Sequence, residues 1–194
     1  MENDLGDRTP VSILNRRKVL ENAVWTVFLD HIRSDTGHEV QDYLVVQPNV
    51  RVLGNVGGVG VLPILDGKIV LRRAYRYPLE TFVWEIPRGF VDPGEDPKVS
   101  ALRELEEEAG LVCDADDLLF LGAVSAEAST IAGVDNIYLG LNCRKGGVRD
   151  VEEMGLGECH VFTPDEISSM IAANEVTEAH TQVALCRYLL QLAS

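Results

Sequence analysis

Gly89-Phe90-Val91-Asp92-Pro93-Gly94-Glu95 followed, after seven residues, by Arg103-Glu104-Leu105-Glu106-Glu107-Glu108-Ala109-Gly110-Leu111 is the stretch on which the reading of this chain turns. A helix is marked between the two halves. Asp96 suits its N-cap, Pro97 its first turn and Gly110 the left-handed stop just past its end. Leu102, Leu105 and Ala109 fall at i, i+3 and i+7 and predict a core-facing stripe. Glu104, Glu107 and Glu108 fall at i, i+3 and i+4 and share a face, with no lysine among them. Like charges at that spacing repel by a few tenths of a kcal/mol per pair, about the inverse of a favourable pair. Two readings of that face stand open: a solvated acidic surface, or a site for a divalent cation. Hard oxygen ligands on a rigid element suit Mg2+ or Mn2+. Glu95, in the loop before the helix, is placed to pair with Arg103 and hold loop against helix.

Working outward toward the N-terminus, the chain reads as strands. Val59–Leu65 and Lys68–Arg73 flank Asp66-Gly67, a strong two-residue hairpin signal. Trp25–Leu29 and Asp42–Val46, with turn chemistry at Ser34-Asp35-Thr36-Gly37, predict a small antiparallel sheet over residues 11–48. Pro48-Asn49 interrupts the pattern, and the main domain is placed at 52–194, after an N-terminal extension of 1–51. Toward the C-terminus, strands are predicted at Leu118–Ser125, Ile137–Asn142 and around His160–Phe162. Helices follow at Pro164–Ala173 and Glu178–Leu192. This order predicts an α+β chain, or a layered α/β/α domain.

The composition sets limits. The chain has 194 residues, 17 Lys and Arg against 31 Asp and Glu, and a formal net charge of −14. Residues 1–88 are balanced, whereas 89–111 carry seven acidic side chains against two basic ones. Such an anion has no general attraction to nucleic acid or to an anionic membrane surface. No apolar run approaches the roughly 18 residues that span a bilayer, and the polar start Met1-Glu2-Asn3-Asp4 lacks the layout of a secretory signal, so a cytoplasmic location is expected. The cysteines at 113, 143, 159 and 186 include no C-x-x-C pair and are expected to be reduced, mostly buried thiols.

The spacing G-x5-E-x7-R-E-U-x-E-E-x-G-U, where U is a bulky aliphatic, is met at every defined position by Gly89, Glu95, Arg103, Glu104, Leu105, Glu107, Glu108, Gly110 and Leu111. On that motif the sequence resembles the Nudix hydrolases. The resemblance implies an α/β/α sandwich with a mixed sheet, preceded here by the small N-terminal antiparallel sheet. It also implies hydrolysis of a nucleoside diphosphate linked to another moiety. Glu104, Glu107 and Glu108 would be ligands of Mg2+ or Mn2+, joined by the backbone carbonyl of Arg88. Bound cations in that family neutralise the diphosphate and lower the pKa of a water.

The surroundings resemble the ADP-ribose pyrophosphatase branch, through Arg73-Ala74-Tyr75-Arg76-Tyr77-Pro78 and Trp84-Glu85-Ile86-Pro87-Arg88-Gly89. That likeness implies ADP-ribose as substrate, giving AMP and ribose 5-phosphate, with Arg76 on a phosphate. It also implies a homodimer, in which Trp25 and Tyr43 either stack on the base or lie in the core. The general base of that branch lies on a late acidic loop, where Glu153 is the first candidate and Glu152 the second; a solvated loop is the alternative. Glu85 is expected to brace its strand, and Arg72 and Arg73 to lie on a solvated edge strand. One departure leaves the substrate open. Relatives in that branch carry a proline about 15 residues past the motif, where this chain has Ala126, so a GDP-sugar or another ADP-sugar remains an alternative. A non-catalytic nucleotide-binding module and an acidic scaffold are the competing classes.

Overall fold

Val59-Gly60-Val61-Leu62-Pro63-Ile64-Leu65 is apolar on both of its alternating faces, the pattern of a strand covered on both sides. The computed structural model, which describes residues 10–147 and 155–193, shows how that burial is achieved. Its strands in chain order are β1 Val11–Glu21, β2 Trp25–Ser34, β3 Glu39–Pro48, β4 Val56–Leu65, β5 Lys68–Arg76, β6 Thr81–Glu85 and β7 Arg88–Phe90. After helix α1, Pro97–Ala109, come β8 Leu111–Val112, β9 Leu118–Val124, β10 Val134–Lys145 and β11 Leu156–Phe162, then helices α2 Pro164–Ala172 and α3 Ala179–Leu192.

The described residues divide into two compact units, one of residues up to 49 with 127–133, the other of 50–126 with 134 onward. The first is the three-stranded antiparallel sheet β1-β2-β3. The segment 127–133 joins it through a parallel bridge of Val46 to Ile131 and a bond from the Tyr43 hydroxyl to the Ser129 carbonyl oxygen at 2.6 Å.

The second unit holds an eight-stranded mixed sheet, in which β4 runs parallel to β10 and antiparallel to β5 and β7. Asp66 and Gly67 both take positive φ, 50° and 74°, as the hairpin turn joining β4 to β5 requires. Strand alternation sorts the core into two. Leu62, Ile64, Ile69 and Leu71 pack with Ile167, Met170, Ala184 and Leu185 of α2 and α3. Val59, Val61 and Val70 pack on the other face with Ala101 and Leu105 of α1. The sheet is thus sandwiched between α1 and the α2–α3 pair, the layered α+β architecture that the order of elements predicts.

The helix termini follow their sequence signals. The Asp96 side chain accepts the Lys98 N–H at 2.8 Å, and Gly110 stops α1 at φ 64°. Thr163 and Glu166 close a reciprocal cap at the start of α2. No helix among the described residues is long and apolar enough to cross a membrane.

One expectation needs correction. Strand β5 is interior rather than an edge, since it pairs with β4, β6 and β11. Arg72 on it is completely buried and Arg73 is half-buried with its guanidinium over the Trp84 ring. The expected stripe of α1 does face the core, Leu105 completely buried and Leu102 and Ala109 packed against the same cluster, and Ser100, Ala101, Glu104 and Glu108 are buried beside it. Two of the acidic residues therefore face the sheet, where an arginine and a glycine meet them.

Candidate active site

The loop into α1 is tied at both ends of the motif. Asp92 and Glu95 close a turn, Glu95 N–H to Asp92 carbonyl oxygen at 3.0 Å, with Gly94 at φ 78°. The Ser100 hydroxyl donates to Glu95 at 2.5 Å and, with Arg103 nearby, holds its carboxyl below the usual range. Arg103 gathers the acidic residues. Its Nη1 lies 2.8 Å from Glu104 and 3.0 Å from Glu107, and its Nη2 lies 3.6 Å from Glu95 and 3.8 Å from Asp92. Nη2 also donates to the Phe90 carbonyl oxygen at 3.1 Å, which fastens β7 to α1. Burial works against the Arg103 charge, but Glu104 and Glu107 outweigh it and raise its pKa.

Gly89 lies flat against the Glu104 carboxyl, so close that any β-carbon there would overlap it. That contact gives the motif glycine a steric reason. One residue earlier, the Arg88 N–H donates to Glu108 Oε2 at 2.5 Å. Glu108 is 1% exposed, and its other oxygen, Oε1, stands 2.8 Å from Arg72 Nη1. Glu107 is the outward member of the three, with its side chain 46% exposed.

Behind these residues lies a chain of charges, buried at its centre and partly exposed at Arg76, Arg88 and Asp135, that the sequence did not reveal. Glu85, fully buried, accepts from Arg76 Nε at 2.7 Å and again from Arg76 Nη2, and stands 3.4 Å from Arg72 Nη2. Arg88 Nη2 lies between Glu85 and Glu178, 3.9 Å from each. Glu178 caps α3, accepting the His180 N–H at 3.2 Å and the Thr181 N–H at 2.8 Å. Its carboxylate also meets His180 Nδ1 at 2.7 Å, while His180 Nε2 lies 2.7 Å from Asp135 on β10. Thr181 Oγ1 accepts the Ile86 N–H at 3.0 Å, so the start of α3 is stitched to the strand that leads into the motif.

Burial disfavours charge on both Glu178 and His180, yet their mutual bond and the flanking Arg88 and Asp135 prevail. Glu178 is held at about 2 and His180 is pushed up to about 9. At neutral pH neither is placed to exchange a proton.

The sequence also singles out Trp25, Tyr43, Glu152 and Glu153. Trp25 opens β2 opposite Pro48 and is half-buried; Tyr43 sits on β3 opposite Asp30. Both belong to the first unit. Glu152 and Glu153 lie outside the described residues. Among the described residues no three Asp, Glu, His or Cys side chains converge as a metal-ligand group. Glu104 and Glu107 meet at Arg103 Nη1, and Glu108 meets Arg72. The donors are nonetheless those a hard cation takes, and Arg103 Nη1 already provides a positive charge to two of them.

Comparison with known proteins agrees with the motif. The NUDIX domain profile matches residues 54–182. The chain is 34% identical over 149 residues to the methanol dehydrogenase activator of Bacillus methanolicus, covering 74% of this chain and 77% of that one. It is 26% identical over 175 residues to the ADP-ribose pyrophosphatase of Bacillus subtilis, covering 88% of each. A crystal structure of an ADP compounds hydrolase shares the fold with a TM-score of 0.78 at 23% identity, over 95% of both chains. With the nine motif positions on one loop and helix, and a family match across most of the second unit, this chain belongs to the Nudix hydrolase family, with its likeness to the ADP-ribose pyrophosphatase branch.

Proposed function

We propose that this chain hydrolyses the diphosphate of a nucleoside diphosphate sugar, ADP-ribose first among them, to AMP and ribose 5-phosphate. The observation that carries the reading is the gathering of Glu104, Glu107 and Glu95 around Arg103 beside a glycine that leaves no room for a side chain. The 26% identity with the B. subtilis ADP-ribose pyrophosphatase, along 88% of both chains, supports the substrate class.

In this reading Glu104, Glu107 and Glu108 hold Mg2+ or Mn2+, together with the Arg88 carbonyl. The cations, when bound, neutralise the diphosphate and make a water more acidic. Arg76, whose guanidinium is oriented by Glu85 and whose side chain is 29% exposed, contacts a phosphate. Glu153 takes the proton of the attacking water. Trp25 and Tyr43 stack on the base, and the chain is a homodimer. The exposed apolar residues Val11, Ile13, Leu14, Val19 and Leu20 on β1 support that dimer.

A panel of nucleoside diphosphate sugars, incubated with Mg2+ and resolved by chromatography, tests the reading. ADP-ribose should give AMP. Glu107→Gln, at a half-exposed position, should leave the fold intact and lower kcat by about 100-fold or more. Unchanged turnover would remove the ligand assignment, and faster release of GMP from a GDP-sugar would move the substrate.

A second reading, in which the chain binds a nucleotide and regulates a partner, draws on the 34% identity with a protein named as an activator of methanol dehydrogenase. Binding of ADP-ribose without release of AMP, under either Mg2+ or Mn2+, would favour it.

A further inference from the structure

We propose that Arg72, outside the Nudix motif, is the positioning residue that fixes Glu108 in the orientation in which it takes a divalent cation. The proposal rests on the reading of Glu108 as a ligand.

Alternation along β5 turns Val70, Arg72 and Ala74 to the α1 side of the sheet, and the Val70 side chain accordingly packs with Leu105. Arg72 is the largest of the completely buried side chains, set between Glu85, opposite it on β6, and Glu108 on α1. Glu85 is already held twice by Arg76, and Arg72 stands 3.4 Å from it. The closer contact of Arg72 is with Glu108, at 2.8 Å. Each oxygen of Glu108 thus has its own partner, Oε1 the Arg72 guanidinium and Oε2 the Arg88 N–H at 2.5 Å. Together they restrain the carboxylate, one by a hydrogen bond and one by charge.

Stability does not account for the arginine. A buried ion pair is often no more stabilising than apolar residues of the same volume. Arg72 also leaves its Nε without a hydrogen bond among the described residues, and its Nη1 faces Glu108 by charge rather than as an aligned donor. A position flanked by Leu71 and Ala74, both completely buried, would pack readily with an aliphatic residue. What the guanidinium adds is a fixed counter-charge at the deepest carboxylate of the motif.

The sign of the effect separates this role from a bystander's. Deleting a nearby positive charge, by itself, tightens binding of a cation. Losing the support of a ligand loosens it, by roughly 10- to 100-fold in metal affinity. The experiment is a titration of Mn2+ into the 194-residue chain, followed by the EPR signal of free Mn2+, for wild type, Glu108→Gln, Arg72→Lys and Arg72→Met. Metal-free thermal unfolding and kcat and KM for ADP-ribose at saturating Mn2+ accompany it. The expected result is Mn2+ binding weakened roughly 10-fold or more in Arg72→Lys and further in Arg72→Met, with kcat lowered and KM unchanged. Lysine retains the charge but not the two-pronged reach, so Arg72→Lys decides the matter if Arg72→Met fails to fold. Mn2+ affinity equal to or tighter than wild type in Arg72→Lys overturns the proposal. If that occurs while Glu108→Gln weakens Mn2+, only the role of Arg72 is lost. If Glu108→Gln binds Mn2+ as wild type does, the ligand reading falls and the proposal falls with it.

Discussion

Raising the pH is predicted to loosen the start of α3 from the sheet, because His180 is charged in the folded protein. Its ring lies between Glu178 and Asp135, 2.7 Å from each, with its side chain 5% exposed. The folded protein holds its proton up to about pH 9, against 6.5 for an ordinary histidine. A group whose pKa is raised on folding contributes stability that is fully present below its unfolded pKa and is lost as pH rises through the folded one. The window is therefore about pH 6.5 to 9. At about 1.4 kcal/mol per pH unit, the interval is worth on the order of 3 kcal/mol. For a chain of this size that is about 6–12 °C in Tm. The measurement is thermal unfolding of wild type and His180→Gln, in EDTA, from pH 6 to 10, with the difference between them plotted so that other titrations cancel. Wild type should lead at pH 6 and lose its lead by pH 10. A flat difference would mean that His180 is neutral in the fold, and the ion-paired description of the α3 cap would be wrong. On the acid side the same contact acts through Glu178, whose contribution is present above 4.5 and lost as pH falls toward about 2. The two share one bond, so its energy is counted once.

Two further outcomes are expected. Gly89→Ala places a methyl in the Glu104 carboxyl, which must move by about 1 Å, and a displacement of that order lowers kcat by about 100-fold; turnover within about threefold of wild type, measured by AMP release, would show that Glu104 has room to spare. Ellman's reagent should react at once with exposed Cys186, slowly with half-buried Cys159, and not with buried Cys113 or Cys143, whose thiols burial pushes up, to about 12 for Cys143. More than two thiols titrating in the native protein would contradict the packing of β8 against β10.

The parts of this structure that were legible in the sequence are those whose signal is local. Asp96, Pro97 and Gly110 bound α1 because capping depends on residues a few positions apart. Asp66-Gly67 announces its hairpin for the same reason. The buried charges were not legible, since an arginine in a strand discloses nothing about a carboxylate far along the chain. Arg72 meets Glu108, 36 positions later, only because it stands on the face of the sheet that α1 covers. Glu178 and His180 look in sequence like the polar start of an ordinary helix, and their partner Asp135 stands on another strand. The inward turn of Glu104 and Glu108 was hidden as well. Helical spacing groups them with Glu107, but the small Gly89 and the charged Arg72 on the sheet side decide which glutamates go inside.

The seven acidic side chains of the motif segment are therefore not equivalent. Glu108 belongs to a set, buried at Arg72, Glu85, Glu108 and His180 and partly exposed at Arg76, Arg88 and Asp135, in which Arg72, Arg76, Arg88 and a protonated His180 match Glu85, Glu108, Glu178 and Asp135 charge for charge. Such a set resists desolvation because each member has a counter-charge. Around Arg103 the proportions differ: one guanidinium stands within 3.8 Å of Asp92, Glu95, Glu104 and Glu107. An added cation would be drawn to that end of α1, where the carboxylates crowd a single positive charge, more strongly than to the balanced set beneath. On the proposed ligand reading, Glu108 would be the carboxylate held in advance, and Glu104 and Glu107 those whose charge calls for the cation. Arg103 should loosen from both when it arrives. The Mn2+ titration carried out with Arg103→Lys tests this: if Arg103 only occupies the cation's place, binding tightens or holds, and if the guanidinium is needed to keep Glu104 and Glu107 together, binding weakens and the assignment of surplus charge fails.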